Sequence, residues 1–242
     1  MIGLIGHFGY NCGSRCTRSA EGIINLKIKI PDISGQLEVI DEDVLTLIDD
    51  AQVSETDMIN KHIQGVALTK ADFTKVSFYR VIFENCQLTD CVFEKASFID
   101  VIFKNCDFSN SDFSDGYWNR CQLFSCKWTG ANFQHSSQQH LSVTASNFQY
   151  ANFESSTMTH LQVDDSDLSH GNFTECKLKN WKLNQVRFSN AIFFKTALKG
   201  TDFTECQIDG IVISDTFHEL NGATVNPTQA VDLVKLLGVR VK

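Results

Sequence analysis

Apolar residues recur at every fifth position between Ile63 and Ile213 without a slip. Counting in steps of five gives 31 centres, of which 30 are apolar and 15 are phenylalanine; the exception is Gln138. An α-helix repeats every 3.6 residues and a plain strand every two, so neither places each fifth residue on one buried line. A coil that turns a corner every five residues does. Such fixed-period self-similarity predicts a solenoid in which each unit is buried by its neighbours.

A second column of small residues supports this register. Two positions before each centre, 26 of 31 residues are Ala, Cys, Ser, Thr, Gly or Val. A small residue beside a large ring divides the core volume in the way that close packing requires. The remaining positions are mostly polar or charged, which is typical of a solvated wall. The pattern therefore predicts an all-β solenoid with two inward-facing columns.

Several five-residue units resemble the pentapeptide-repeat family, whose consensus is A(D/N)LXX. They include the units beginning at Ala71, Ala131, Ala151 and Thr201, which read Ala-Asp-Phe, Ala-Asn-Phe, Ala-Asn-Phe and Thr-Asp-Phe. The resemblance covers about two thirds of the chain. It implies a right-handed quadrilateral β-helix with one unit on each side and 20 residues in each coil.

The sequence carries its own 20-residue period. Four cysteines in the small column lie multiples of 20 apart, at Cys86, Cys106, Cys126 and Cys206. Bulky residues also enter the small column at intervals of 20, with smaller centres two positions later; the pairs are Leu141 with Val143, Leu161 with Val163, and Trp181 with Leu183. Such a volume-conserving exchange is the change that cores tolerate best. We expect these residues to stack in adjacent coils.

The flanks divide the chain into four segments: an irregular tail (1–22), an N-terminal strand with an acidic capping segment (23–60), the β-helix (61–215) and a C-terminal helix (216–242). Ile24, Leu26, Ile28 and Ile30 alternate with polar residues, which predicts a strand. Residues 32–60 hold nine acidic residues and no Lys or Arg, with Val44, Leu45, Ile48 and Ala51 on one side of a short helix. We expect this segment to cover the first coil, whose strand edge would otherwise be free to pair. It could instead attract a basic partner.

Asn226 and Pro227 predict the start of a helix that ends at Gly238. The segment from Leu220 to Ala230 resembles the quinolone-resistance (Qnr-type) branch of the family, in which a terminal helix joins two rods. The resemblance implies a homodimer. Its interface would use the apolar side chains of this helix, namely Val231, Leu233, Val234, Leu236 and Leu237. The alternative is a monomer whose helix only closes the last coil.

Little in the sequence favours catalysis, a metal or a cofactor. Seven of the nine cysteines fall in the small inward column, where they act as small apolar residues. His7, Cys12 and Cys16 match no standard zinc spacing, and His140 and His160 are 20 apart, so they are expected to stack on the surface. The chain has no phosphate-binding glycine loop, no run of 18 apolar residues and no signal-peptide pattern. We therefore expect a non-catalytic cytoplasmic protein without cofactor, metal or membrane contact.

The charge of the chain is unevenly distributed. The whole chain carries a net charge of −8, whereas residues 61–213 hold 16 acidic and 14 basic residues. The side with centres from Phe78 to Leu198 carries Arg80, Arg120, Lys177, Lys179 and Lys199 against Asp100. Between Trp128 and Cys176 there is no Lys or Arg, and five carboxylates occur there: Glu154, Asp164, Asp165, Asp167 and Glu175. They form either a phosphate-like patch or an ordinary solvated wall.

Two functions remain open at this point. Qnr-type relatives are thought to mimic duplex DNA on type II topoisomerases, and the resemblance implies a modulator of DNA gyrase or topoisomerase IV that binds through this acidic patch. In that case the protein itself does not bind nucleic acid. The alternative is an interaction scaffold with an unidentified partner, which would use the basic side or the acidic N-terminal segment. The absence of inserted loops in the repeat makes the first function less typical of its branch.

Overall fold

The computed structural model describes residues 28–41, 43–236 and 238–241. The tail at 1–22 and the first part of the predicted strand, with Ile24 and Leu26, lie outside the described residues. The elements are two α-helices, one 3-10 helix and eleven strands: β1 (Glu38–Ile40), α1 (Val44–Val53), β2 (Met58–Ile59), β3 (Lys61–Gln64), β4 (Ala67–Thr69), β5 (Ser77–Glu84), β6 (Gln87–Thr89), β7 (Ser97–Lys104), β8 (Tyr117–Phe124), β9 (Ser137–Thr144), β10 (Thr157–Asp164), β11 (Lys177–Asn184), the 3-10 turn His218–Leu220 and α2 (Pro227–Leu236).

The chain winds into a solenoid of about seven coils, as the period of five predicts, and this solenoid is a right-handed quadrilateral β-helix, as the family resemblance implies. All strand pairs are parallel, and from β5 to β11 each residue pairs with the residue 20 positions later. We number the four faces by their centres. Face 1 runs from Ile63 to Phe203, face 2 from Leu68 to Ile208, face 3 from Phe73 to Ile213 and face 4 from Phe78 to Leu198. Each long strand covers face 4 and the following face 1.

A left-handed residue forms the corner between consecutive faces. From Asn60 to Gly210, every fifth residue except Glu205 has a φ between 48° and 80°. Asn, Asp and Gly accept this conformation most readily, and they fill many of the corners, as at Asn85 and Gly130. Lys, Arg and His also stand there because the hydrogen bonds between coils fix the backbone. Each corner thus turns the chain by one face.

The core consists of two inward columns, as predicted. The rings of successive coils stack, with centroids 4.3 Å apart for Phe73 and Phe93 and 5.1 Å for Phe83 and Phe103. Gln138 is buried among them, and its side-chain amide donates to the Ser136 hydroxyl at 3.1 Å. The strand continues through Gln138 in unchanged register. The hydroxyl of the small column therefore provides the partner that a buried amide requires.

The N-terminal segment closes the first coil. Helix α1 buries Val44, Ile48 and Ala51 against the end of the core, and β1 pairs with β3 in parallel. The described part of the predicted strand, Ile28–Ile30, forms no strand. The strands of this segment are instead β1, which pairs with β3, and β2, which pairs with β5.

Residues 28–37 lie along the corner between face 4 and face 1. The amide of Asp32 donates to Asp100 Oδ1 at 3.0 Å, and the amide of Lys29 donates to His140 Nδ1 at 3.4 Å. Asp100 is 2% exposed and forms a bidentate pair with Arg120, with both N···O distances at 2.6 Å. The pair raises the pKa of Arg120. This buried carboxylate joins two coils to the N-terminal segment.

The ladder on faces 4 and 1 ends at β11. Faces 2 and 3 continue one coil further through the bridges of Arg187 with Gln207 and Ile192 with Val212. Residues 197–204 instead bond to the C-terminal segment: the amide of Leu198 donates to the carbonyl of Glu219, and that of Phe203 to the carbonyl of Thr224. The apolar period continues through all four faces to Ile213, but the pairing with the previous coil stops at β11 on faces 4 and 1.

We expect Arg120→Gln to lower the free energy of unfolding by about 3 kcal/mol, because the Asp100 charge stays buried without its ion partner. Lys104→Gln removes one partner of the more exposed pair with Glu84, and its cost is expected to stay below about 1 kcal/mol. Urea denaturation of both variants measures the difference. Equal effects would contradict the role of the buried pair.

Candidate functional site

The five carboxylates of the predicted acidic patch lie on different faces of the rod. Asp164 is the last residue of β10, Asp165 forms the corner after face 1, and Asp167 lies on face 2. Glu154 and Glu175 belong to face 3, half a coil away from face 1. The structure therefore brings Asp164, Asp165 and Asp167 together along one edge. It places Glu154 and Glu175 on the opposite side of the rod.

Ion pairs between adjacent coils neutralise two of these carboxylates. Asp167 pairs with Arg187 at 3.2 Å, and Glu175 pairs with Lys195 at 2.8 Å. The hydrogen bond from Lys195 lowers the pKa of Glu175. The same 20-residue spacing joins other pairs along the rod: Glu84 with Lys104, Asp100 with Arg120, and Asp107 with Lys127. The outer wall is thus a series of charge ladders rather than a continuous acidic stripe.

Asp164 and Asp165 have no cationic partner among the described residues. The side-chain amide of Gln162 donates to Asp164 Oδ2 at 2.7 Å, and Asp165 is exposed at its corner. Asp167 has a structural task in addition, because its Oδ1 accepts the amide of Ser169 at 3.0 Å. Glu154 also lacks a cationic partner in the described part of the chain and accepts the side-chain amide of Gln134 at 3.1 Å, but it lies on face 3, apart from these two. Asp164 and Asp165 are therefore the two unpaired carboxylates of the patch that lie side by side.

The C-terminal helix is anchored to the rod by one buried side chain. Gln229 Nε2 donates to the carbonyls of Phe203 and Cys206 at 2.7 and 2.6 Å. Its Oε1 accepts the amide of Asn226 at 2.8 Å, while Asn226 Oδ1 accepts the amide of Gln229 at 3.0 Å. This reciprocal arrangement is a capping box. It both starts α2 and attaches it to the last coil.

The apolar side chains of α2 are divided between the rod and solvent. Leu233 packs against the core, and Val234 is half-buried. Val231 and Leu236 are 39% and 42% exposed. Leu237, the fifth residue of the predicted interface, lies outside the described residues. The chain therefore presents part of an apolar helix at its C-terminal end.

Among the described residues, no group of three or more His, Cys, Asp or Glu side chains is placed to hold a metal ion. The seven cysteines of the small column are buried and unpaired with one another. Burial raises the pKa of Cys121 to about 12 and that of Cys176 to about 12, so these thiols stay protonated. His140 and His160 stack with centroids 4.7 Å apart, as predicted, and burial together with the charge of His160 lowers the pKa of His140. Cys12, Cys16 and His7 lie outside the described residues.

Two surface features were missed in the sequence, although both leave a signal there. The spacing of Asn226 and Gln229 is that of a capping box. The charge ladders appear as oppositely charged residues 20 positions apart, as at Asp167 and Arg187. The charge ladders can be read from the sequence only when the coil length of 20 is applied to polar residues as well as apolar ones. Among the described residues, no helix is long and apolar enough to cross a membrane.

We expect Gln229→Met to lower the free energy of unfolding by about 2 kcal/mol, because two buried carbonyls lose their donor. Hydrogen exchange of the α2 amides should accelerate more than that of the strands. Gln64→Met, at an exposed position whose side chain forms no hydrogen bond with a described residue, is the matched control and should change neither quantity. Unchanged α2 exchange in the Gln229 variant would contradict the anchoring role.

Comparisons with known proteins identify the repeat. A family model described as a pentapeptide repeat region matches residues 56–133, and a model of eight pentapeptide repeats matches residues 172–207. No curated protein matches the sequence. Both family matches fall almost entirely within the β-helix, on the residues whose centres fill the core.

Several solved structures resemble the fold. Full-length QnrB1, a plasmid-mediated fluoroquinolone resistance protein, is 21% identical; the match covers 84% of this chain and 95% of that chain, with a TM-score of 0.47. A trypsin-treated QnrB1 variant is 23% identical over 77% of this chain and 94% of that chain, with a TM-score of 0.46. HetL, a pentapeptide-repeat protein involved in heterocyst differentiation regulation in the cyanobacterium Nostoc sp. strain PCC 7120, is 15% identical over 73% and 92%, with a TM-score of 0.33.

Proposed function

We propose that this chain, which belongs to the pentapeptide-repeat family, is a non-catalytic binding protein that modulates a type II topoisomerase by taking the place of duplex DNA. The observation that carries the proposal is the pair Asp164 and Asp165. These two carboxylates have no ion partner among the described residues, and they lie in a stretch without Lys or Arg from Trp128 to Cys176. They are the two carboxylates of the patch that lack an ion partner within the described ranges and lie next to each other in the chain.

A rigid rod with carboxylates along one edge is complementary to a basic protein surface that binds DNA. Proteins bind duplex DNA largely through Lys and Arg on its phosphates, and a carboxylate at the same place attracts the same side chains. The parallel ladder fixes Asp164 and Asp165 on the rod, so little ordering entropy is lost when they bind. Such binding is expected to weaken as salt is raised.

The Qnr-type resemblance of the segment from Leu220 to Ala230 directs the proposal to DNA gyrase and topoisomerase IV. QnrB1 is a fluoroquinolone resistance protein, and the corresponding role here would be protection of the enzyme from quinolones or its inhibition. Both activities require a cytoplasmic protein, which is the location we propose. Neither requires a cofactor or a metal.

A homodimer joined through α2 is part of the proposal. Val231 and Leu236 are exposed on the helix, and a helix with exposed apolar residues at its end gains stability by covering them. Two rods joined at their C-terminal ends would double the length of the acidic edge. Leu233 and Val234 would then serve both the last coil and the partner subunit.

The second candidate function is an interaction scaffold with another partner. Lys177, Lys179 and Lys182 favour it, because they are exposed on β11 and have no ion partner among the described residues. A basic surface does not mimic DNA. It would recognise an acidic partner instead.

We expect the purified protein to alter gyrase supercoiling, with and without ciprofloxacin, and Asp164→Lys/Asp165→Lys to lose at least about 90% of this effect, because two charge reversals cost more than 1.4 kcal/mol. Asp167 is left unchanged, since its carboxylate also holds a turn. The supercoiling assay over a range of protein concentrations is the measurement.

The matched control is Glu154→Lys/Glu175→Lys, which reverses two carboxylates on the opposite face. It should retain the activity of the unchanged protein. Equal loss in both variants would remove the Asp164 edge from the mechanism, and no effect of the unchanged protein at a large molar excess would refute the topoisomerase proposal.

We expect Val231→Glu/Leu236→Glu to raise the dimer dissociation constant about a hundredfold or more, because each buried carboxylate costs at least about 2 kcal/mol. Sedimentation equilibrium measures the dissociation constant. Val53→Glu, at an exposed valine near the other end of the rod, is the control. A monomeric unchanged protein would refute dimerisation through α2.

A further inference from the structure

Strand β11 lacks the neighbour that every earlier long strand has. In the preceding coils, the carbonyl two positions before each face 4 centre accepts an amide of the next coil, as Ser156 accepts from Lys177, and the corner amide after face 1 donates onward, as Asp165 does to Asn184. The Cys176 carbonyl and the Gln185 amide have no such backbone partners among the described residues. The outer edge of β11 is therefore unpaired.

The exposure of the inward-facing side chains is consistent with an unpaired edge at β11. In β10, Met158, Leu161 and Val163 are at most 5% exposed. The residues paired with them in β11 are Leu178, Trp181 and Leu183, and all three are only partly buried. These are inward-facing positions of a repeat whose apolar period continues to Ile213. An apolar floor thus lies beside the unpaired backbone.

The residues on the two sides of the break differ in size. Trp181 occupies the small column together with Leu183, whereas the next coil carries Thr201 and Phe203 there. The ring of Phe203 meets Phe188 and Phe193 edge-on, at 84° and 68°. Residues 197–204 pair with the C-terminal segment. The backbone of this last coil is consequently not available to β11.

Lysines surround the open edge. Lys177, Lys179 and Lys182 project from β11, Lys199 stands on the next coil, and all four are exposed. None forms an ion pair with a described residue. Of the residues 20 positions after the three β11 lysines, only Asp202, which follows Lys182, is a carboxylate. Elsewhere on the rod, five cations on the outer wall pair with a carboxylate of the previous coil.

We propose that the outer edge of β11 binds an acidic, extended segment of a partner protein by strand addition. The backbone of the segment would bond to the free amides and carbonyls of β11. Because side chains alternate along a strand, apolar residues of the segment would face Trp181 and Leu183, and carboxylates would face the lysines. This peptide site rests on the scaffold function proposed for the same lysines, and it is independent of the acidic edge at Asp164 and of the topoisomerase proposal.

The chemistry of the edge favours a peptide over other occupants. Nucleic acid would satisfy the lysines but offers no regular row of amides for the backbone of β11. A second copy of the chain would bring the same four lysines to the contact, and like charges oppose that pairing. An acidic strand satisfies the backbone, the apolar floor and the lysines together.

The test uses the full chain and a fluorescein-labelled peptide of four Glu-Val repeats. We expect saturable binding by fluorescence anisotropy and slower hydrogen exchange of the β11 amides in the complex. Lys177→Glu/Lys179→Glu should weaken binding about tenfold or more, because two attractive charge contacts become repulsive. The control Lys70→Glu/Lys75→Glu, at exposed corners of the first coil, should bind as the unchanged protein does.

Backbone pairing is tested with the same peptide methylated at alternate amide nitrogens. Loss of binding supports strand addition, and unchanged binding overturns it. Equal binding of an oligothymidylate of the same charge would also overturn the proposal in favour of nucleic acid. Sedimentation of the protein without peptide tests whether a second copy of the chain occupies the edge. Self-association that changes in Lys177→Glu/Lys179→Glu but not in Lys70→Glu/Lys75→Glu would assign the edge to a second copy and overturn the proposal.

Discussion

The hydrogen-bond ladder between coils is the constraint on which the other features of this protein depend. It sets a fixed register of 20 residues, and it holds residues such as Lys75 and Arg80 in the left-handed conformation that non-glycine residues otherwise avoid, at a cost of about 1 kcal/mol each. Because each coil lies about 4.8 Å from the next, identical positions touch. The stacked phenylalanines, the cysteine column and the ion pairs all follow from that one spacing.

This spacing changes how surface charge is interpreted. A carboxylate on the wall meets the residue 20 positions later, so its availability depends on one neighbour and not on the composition of the region. Asp167 and Glu175 lie in a stretch without basic residues, yet cations from the next coil neutralise both. Asp164 and Asp165 remain available because Asn184 and Gln185 follow them. The proposed topoisomerase-binding site is therefore limited to the edge that carries Asp164 and Asp165.

The point at which this ladder stops, at the outer edge of β11, differs from the two ends of the rod. A solenoid must close both ends, and here α1 with β1 covers the first coil while Gln229 attaches α2 to the last. The break beside β11 is different, since faces 2 and 3 continue past it. A strand edge with an apolar floor is normally protected by charge or by a cover. The lysines around β11 prevent pairing with a like-charged copy and leave an acidic strand as the suitable occupant.

The sequence by itself determined the solenoid, its four faces, the inward columns and the end helix, because each of these follows from a period of apolar residues or from a local capping residue such as Asn226. It also predicted the stacking of His140 on His160. The tertiary structure decided what depends on contacts between coils. It separated Glu154 and Glu175 from Asp164, placed the N-terminal strand at β1, buried Asp100 under residues 28–37 and ended the ladder at β11. These outcomes depend on how the side chains of neighbouring coils pack and pair their charges, and a periodic pattern of apolar residues does not specify those contacts.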